Sequence, residues 1–316
     1  MLLEIQTLGD GESFGGLSAR HHNHAIPVRH DDVACVYCHS IAGAGPKTGV
    51  PPVTLEIGPY QGTIRQPAPV RDHASKYNAF LDKSEYCGTC HQYENQNGIL
   101  VSDTFGEWKR SKYARTGVTC QKCHMPGEAG RVSSMGPARP RVPDHSFRGP
   151  EQNRSLRDAA TLALHPGTRH GDMLRVIATV TNVGAGHAIP TGNDQHLLLI
   201  RMRATDREGH LVWENDPFQD WNHAVFGLLL ATELGAYPAE TWTASKVLSD
   251  RRIQAGQSAQ STFEIPTGDA KGPLHIEAQL LYRRARPETV QFYNLPDETF
   301  GAERRLAQAT LDVQNP

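Results

Sequence analysis

The sequence has no cysteine left for a structural disulfide, because all six of its cysteines lie in three C-x-x-C-H units. It has no apolar run of about 18 residues, so it predicts no membrane-spanning helix. A formal net charge of −2 excludes the overall basic field typical of nucleic-acid-binding proteins. Hydrophobic residues make up only 38% of a chain that is rich in glycine and proline. We therefore expect something other than side chains to fill part of the interior.

The 316 residues are enough for two domains, and the two halves of the chain differ in pattern. Residues 1–150 hold all the cysteines and are rich in turns, with helices predicted over 82–96, where Ser84 is the expected N-cap, and over 104–116, which Gly117 ends. The expected fold class is α+β and multidomain. A loop-rich, partly helical domain over 1–150 is followed by an antiparallel, Ig-like β-sandwich over 151–316, with the boundary near 147–155.

The prediction of a β-sandwich depends on segments in which apolar and polar residues alternate, separated by turn signals such as DREG and TGDAKGP. One apolar segment, 223–237, fits either a helix or a buried excursion of the chain. The alternating segments are 173–183, 195–206, 210–216, 258–266, 274–284 and 304–313.

The three units ACVYCHS, YCGTCHQ and TCQKCHM have the order that covalent haem attachment requires. Two thiols one helical turn apart add to the haem vinyl groups, and the histidine that follows is placed to bind the iron. A zinc site would need a second cysteine pair but no histidine directly after each pair, and a redox dithiol would follow a strand in a βαβ unit. We therefore predict three covalently attached c-type haems. The predicted thioether residues are Cys35, Cys38, Cys87, Cys90, Cys120 and Cys123, and the predicted proximal iron ligands are His39, His91 and His124.

The segments SEYCGTCHQY, TFGEWKRSKYARTGVTCQKCHMP and DHSFRG resemble the haem-bearing core of multihaem c-type cytochromes of the cytochrome c554-like kind. The segment NVGAGHAIPTG, residues 182–192, is similar to a signature in the β-sandwich that follows the haem region in some of these proteins. The resemblance covers about residues 30–150 and the shorter motif. It implies closely packed, mostly bis-histidine haems that pass electrons.

Five further histidines are candidates for the distal iron positions. His145 matches a position where the family commonly has a distal ligand, and His73 stands in a polar loop before the second motif. His187 follows Gly184 and Gly186 on a small-residue loop that can approach a haem closely. His24 and His30 belong to a histidine-rich arm, which could instead bind a metal ion or reach a haem in an adjacent subunit. The alternative for each lone histidine is an ordinary surface position.

These features favour a trihaem electron carrier that acts between redox partner proteins. The alternatives are a haem enzyme with one open iron for nitrite, hydroxylamine or peroxide chemistry, and a protomer of an extracellular cytochrome filament or larger redox complex. Because c-type haems are attached outside the cytoplasm, we expect a periplasmic or extracellular protein. The first residues, MLLEIQTLGDGES, lack a basic region and do not predict a signal peptide.

Overall fold

A computed structural model describes residues 35–45, 53–67, 73–132, 136–150, 153–268 and 273–314. The chain separates into two compact units. The first, here the motif unit, comprises the described residues of Met1–Gln92 and Tyr113–Glu151; the second, the sheet unit, comprises those of Tyr93–Lys112 and Gln152–Pro316. This partition differs from the expected single boundary near residue 150 in one segment, because Tyr93–Lys112 groups with the sheet unit. None of the helices that the structure describes is long and apolar enough to cross a membrane.

The motif unit consists of short helical segments and short strands. Its helices are Cys35–Ser40, the 3-10 turn Ala79–Asp82, Ser84–Gly88 and Cys120–His124. Its strands are β1 (Ile41–Ala44), β2 (Val53–Leu55), β3 (Tyr60–Gly62), β4 (Ser75–Tyr77), β7 (Gly127–Arg131) and β8 (Ala138–Pro143). They pair only two at a time, β1 with β2, parallel β3 with β4, and β7 with β8. Such small sheets cannot build a large apolar core, which agrees with the low hydrophobic content.

The sheet unit contains longer antiparallel strands. The strands are β5 (Tyr93–Glu94), β6 (Leu100–Ser102), β9 (Ala160–His170), β10 (Met173–Asn182), β11 (Leu197–Thr205), β12 (Leu211–Glu214), β13 (Val225–Phe226), β14 (Leu228–Ala231), β15 (Lys246–Asp250), β16 (Ser258–Pro266), β17 (Leu274–Arg283) and β18 (Glu303–Val313). A three-stranded sheet has the order β16-β10-β9, and a five-stranded sheet has the order β12-β11-β17-β18 with β13 paired to β11. The six alternating segments are confirmed as strands, and β9 is an additional one. The Ig-like arrangement stays a prediction.

One apolar core lies between these two sheets. In β10 every second residue is buried, as a strand with one core-facing side requires. Val176 of β10 and Phe263 of β16 share this core with Ile200 of β11 and Ile276 of β17. Burying a side chain of this size stabilises a fold by about 1.5–3 kcal/mol, so this core contributes much of the stability of the sheet unit.

The apolar segment 223–237 runs beside β11 and contributes Val225 to a small apolar cluster on the side of the sheet away from the main core. It contains the end of helix Trp221–Ala224, then β13 and β14, and it continues in turns over 232–237. Leu197 and Leu199 of β11 pack against Val225 on this side, while Leu198 and Ile200 face the main core. Burial on both faces explains why four successive residues of β11 are buried and apolar.

Both predicted helices are shorter in the structure. The helix predicted over 82–96 is wrong in extent, because it spans only Ser84–Gly88, and Ser84 is its first residue rather than its N-cap. The Ser84 hydroxyl instead accepts a hydrogen bond from the backbone of Cys120. The helix predicted over 104–116 is two helices, Thr104–Arg110 and Lys112–Arg115, separated by Ser111 in an extended conformation. Gly117, with a φ of 70°, follows as predicted.

Candidate haem site

Each C-x-x-C-H unit forms about one turn of helix. The first occupies helix Cys35–Ser40 and the third occupies helix Cys120–His124. The second begins in helix Ser84–Gly88 and continues in a turn, where the amides of Cys90 and His91 both donate to the Cys87 carbonyl at 3.1 and 2.9 Å. Residues three apart on one turn lie on the same side of a helix. Each unit therefore presents its two thiols together, as attachment of one haem requires.

The three units form one cluster within the motif unit. The Tyr86 hydroxyl donates to the Cys38 carbonyl at 2.9 Å, which joins the second unit to the first. The amide of Cys120 donates to the Ser84 hydroxyl at 3.1 Å, which joins the third unit to the second. The interaction between the side chains of Cys87 and Cys120 raises the pKa of Cys87 and lowers that of Cys120. Groups held by these cysteines would consequently be close neighbours.

Two of the predicted proximal histidines have their rings fixed by backbone carbonyls. The Nδ1–H of His39 donates to the Gln61 carbonyl at 2.6 Å, and that of His124 donates to the Arg148 carbonyl. This bond leaves the lone pair of the neutral ring on Nε2, which is the arrangement found for metal-binding histidines. Desolvation, together with the neighbouring His124, lowers the pKa of His91.

His145 faces His39. The two imidazole planes are nearly parallel, inclined by 25°, and the ring centres are 6.2 Å apart. A histidine nitrogen binds a metal at about 2.0 Å, so two imidazoles on opposite sides of one metal have centres about 6 Å apart. The Nδ1–H of His145 donates to the Pro143 carbonyl at 3.0 Å, and burial lowers the pKa of this histidine. The pair therefore has a ring spacing and, through the two Nδ1–H bonds, a tautomer that suit two ligands of one metal, and these residues fit a haem iron.

This arrangement does not fit zinc. A structural zinc site needs four donor atoms that converge on one point. Among the residues that the structure describes, the one set of three or more such donors within 4.8 Å of one another is Asp206, Glu208 and His210, on an exposed turn without cysteine. The cysteine motifs form no such set in the described part of the chain.

The other predicted distal ligands are in different surroundings. His73 is exposed. Its ring meets the Tyr60 ring edge-on, with ring centres 4.9 Å apart, and its Nδ1 lies 3.2 Å from the Ala74 carbonyl oxygen. His24 and His30 lie outside the described residues. The ligand roles of all three stay predictions.

His187 lies in the sheet unit, on a loop that several polar groups hold. Its Nδ1–H donates to the Ala188 carbonyl at 2.8 Å, which leaves the lone pair on Nε2 as in His39. Asn182 donates to the His187 carbonyl at 2.8 Å. Gly184 has a packing role here, since a Cβ atom added to it would lie 1.9 Å from the Asp158 carbonyl oxygen. The ligand role of His187 stays a prediction.

Glu107 holds the residues that follow His187. Its side chain is only 1% exposed; one oxygen accepts from the Ala188 amide at 3.1 Å and from the Thr191 hydroxyl at 2.6 Å. The other oxygen accepts from Arg252 at 2.8 Å. Burial raises the pKa of Glu107, and Arg252 and the hydrogen bonds oppose this shift.

Comparison with known proteins adds information on the fold. A scan against models of known protein families finds no match, and a search of curated proteins finds none. Among solved structures, the chain is similar to a penta-haem cytochrome c552 from Thermochromatium tepidum, with a TM-score of 0.69 and 24% sequence identity over 89% of this chain and 77% of that chain. The chain has a multihaem-cytochrome-like fold. At this identity, the likeness establishes the fold alone.

Two other solved structures match parts of the chain with low structural similarity. A CARDB domain from Pyrococcus furiosus and a putative β-galactosidase from Bacteroides fragilis each match 49% of this chain, with 14% and 8% identity. The matches cover 85% and 17% of those chains. Their TM-scores are 0.23 and 0.24, which is too low for an argument about the sheet unit.

Sequence reasoning missed the groups that orient the histidines in this multihaem-cytochrome-like fold. The acceptors of His39, His124 and His145 are backbone carbonyls, which carry no sequence signal. Glu107 looks like an ordinary polar residue of a short helix. His196 was also missed; it donates to the Thr191 carbonyl at 2.6 Å, and burial lowers its pKa to about 4.

Proposed function

We propose that the chain is a trihaem c-type cytochrome that transfers electrons between redox partner proteins. The observation that carries this proposal is the facing pair His39 and His145, whose ring spacing of 6.2 Å accommodates one metal between them. A histidine that directly follows a C-x-x-C pair and faces a second histidine is the ligand set of a six-coordinate haem. Six-coordinate iron favours electron transfer over substrate binding.

Each haem would be attached through the cysteines and the histidine of one motif, and its distal ligand would come from outside that motif. Cys35 and Cys38 would hold the first through thioethers, with His39 and His145 as the axial pair. Cys87, Cys90 and His91 would hold the second. Cys120, Cys123 and His124 would hold the third. His73, His187, His24 and His30 are the candidates for the two remaining distal positions.

The chain's own contribution is to hold the imidazoles in one orientation and one tautomer. Donation of Nδ1–H to a backbone carbonyl by His39, His124 and His145 selects the tautomer in which Nε2 can bind iron. Rigid ligands also reduce the rearrangement that accompanies a change in iron charge. When bound, the haem supplies reversible one-electron oxidation and reduction.

The contacts between motifs support transfer among the haems. Tyr86 and Ser84 tie the second unit to the first and third, so the attachment points are neighbours rather than separate sites. The multihaem-cytochrome-like fold is consistent with this arrangement. Because c-type haems are attached outside the cytoplasm, we propose a periplasmic or extracellular location.

The experiment is to compare the ferric holoprotein with a His145→Ala variant by electron paramagnetic resonance and absorption spectroscopy. We expect a high-spin signal from one haem in the variant, because that iron loses a ligand. His170→Ala, at an exposed position of β9, is the matched control and should keep the parent spectrum. A His145→Ala spectrum identical to that of the parent would overturn the axial assignment. A parent protein without covalent haem would overturn the proposed function.

A further inference from the structure

One turn, Asp144–Arg148, contacts two of the three C-x-x-C-H units, the first and the third. His145, its second residue, faces His39 of the first motif. Arg148, its last residue, forms a pair of backbone contacts with His124 of the third motif. The Arg148 amide donates to the His124 carbonyl at 3.1 Å, and the His124 Nδ1–H donates to the Arg148 carbonyl. The same few residues therefore touch the axial histidines of two predicted irons.

Asp144 gives this turn its shape. One carboxylate oxygen accepts from the Ser146 amide at 2.8 Å, and the other accepts from the Ser146 hydroxyl at 2.7 Å. The second oxygen also lies 3.6 Å from Nε of Arg148. The Asp144 amide donates to the Pro126 carbonyl at 2.9 Å, which anchors the start of the turn just after the third motif. Such side-chain-to-backbone bonds fix a turn locally.

Phe147 also determines the path of the backbone in this turn. It has a φ of 47°, a left-handed conformation that is unfavourable for a bulky side chain. Its ring contacts His145 edge-on, with ring centres 6.0 Å apart. The unusual backbone brings the chain from the His145 ring back to His124 within three residues. The turn is thus a short and well-connected link between the two histidines.

We infer that the Asp144–Arg148 turn couples the first and third haem centres and that Asp144 is its positioning residue. This inference rests on the proposed function. The turn supplies a ligand to one iron, and through the Arg148 carbonyl it supplies the hydrogen bond that makes His124 a more basic ligand to another. A more basic imidazole stabilises ferric iron and lowers the reduction potential. Displacing the turn should therefore change both centres together.

The test uses three variants of the holoprotein. Asp144→Ala removes both acceptors, Ser146→Ala removes the hydroxyl donor alone, and Asp144→Asn retains an oxygen that can accept from the Ser146 amide. Each is measured by electron paramagnetic resonance for spin state and by a spectroelectrochemical titration for potentials. Asp82→Ala, an exposed position in the motif unit, is the control.

In Asp144→Ala we expect two changes at once, a partial conversion of the first haem to high spin and an upward shift in the potential of the third haem. The second haem, at Cys87, Cys90 and His91, should keep its parent values. The spin state and the potential of Asp144→Asn should be close to the parent values. Those of Ser146→Ala should lie between the values of Asp144→Asn and Asp144→Ala. A change confined to one haem, equal changes in all three, or no change would each overturn the coupling. If His145→Ala leaves all spin states unaltered, the axial assignment has failed instead.

Discussion

Replacing Glu107 with alanine tests how the loop after His187 is held in the sheet unit. The substitution removes the acceptor of the Ala188 amide and of the Thr191 hydroxyl, and it leaves Arg252 without its carboxylate partner at 2.8 Å. The Arg252 side chain is only 10% exposed, so water cannot fully replace the lost contact. Arg252 keeps a second ion pair with Asp250, at 2.7 Å, which limits the cost.

The expected loss follows from the burial of this pair. Removing one partner of a buried ion pair costs about 3–5 kcal/mol, because the other charge stays buried. The free energy of unfolding of a folded protein is about 5–15 kcal/mol, so this loss would be a large fraction of it. For a unit of this size it corresponds to a decrease in melting temperature of roughly 6–20 °C. Glu107→Gln keeps an oxygen acceptor and should cost less, about 1–3 kcal/mol.

Thermal and urea unfolding of the holoprotein, followed by circular dichroism, measure these differences. Glu298→Ala, at an exposed position of a short helix, is the control and should stay within about 0.5 kcal/mol of the parent. A cycle with Arg252→Ala should give a coupling free energy of about 0.5–3 kcal/mol. A loss below about 1 kcal/mol in Glu107→Ala, or purely additive effects in the cycle, would refute this reasoning.

Three further predictions address other histidines and the packing of the loop. His187→Ala should convert one haem to high spin if His187 binds iron, and an unchanged absorption spectrum would exclude that role. In the parent, the folded-state pKa of His196, about 4, lies below its unfolded value of about 6.5. The free energy of unfolding of His196→Asn should therefore depend less on pH below 6.5 than that of the parent. The parent should lose about 1–3 kcal/mol as the pH falls from 6.5 to 4; equal losses in urea titrations of both proteins would contradict this. Gly184→Ala should cost about 1–3 kcal/mol, because its Cβ would meet the Asp158 carbonyl, whereas Gly62→Ala has open space and should unfold like the parent.

The strands of the sheet unit could be predicted from the sequence because one face of each strand is buried. The alternation in β10 and β16 is a direct record of that burial. The position of segment 93–112 could not be predicted, since its partners are distant in the chain. Asn95, for example, donates to the carbonyls of Thr241 and Ala244, both at 2.8 Å. No local pattern encodes contacts over such separations.

The candidate site was predictable to a similar extent. The C-x-x-C-H spacing has one dominant chemical interpretation, so the sequence alone predicts the cysteines and the proximal histidines, and these roles stay predictions. Resemblance to a family indicated His145 as a ligand, but only the facing rings relate it to His39. The length of helix Ser84–Gly88 was mispredicted because the Ser84 hydroxyl bonds to Cys120 rather than capping its own helix.

The haem content of the purified protein tests the central claim most directly. Intact mass spectrometry under denaturing conditions, together with a pyridine haemochrome assay, counts the haems that stay covalently attached. The account predicts three haems for each chain, each linked to two cysteines. A chain that carries no covalent haem, or that binds zinc through its cysteines, would contradict it.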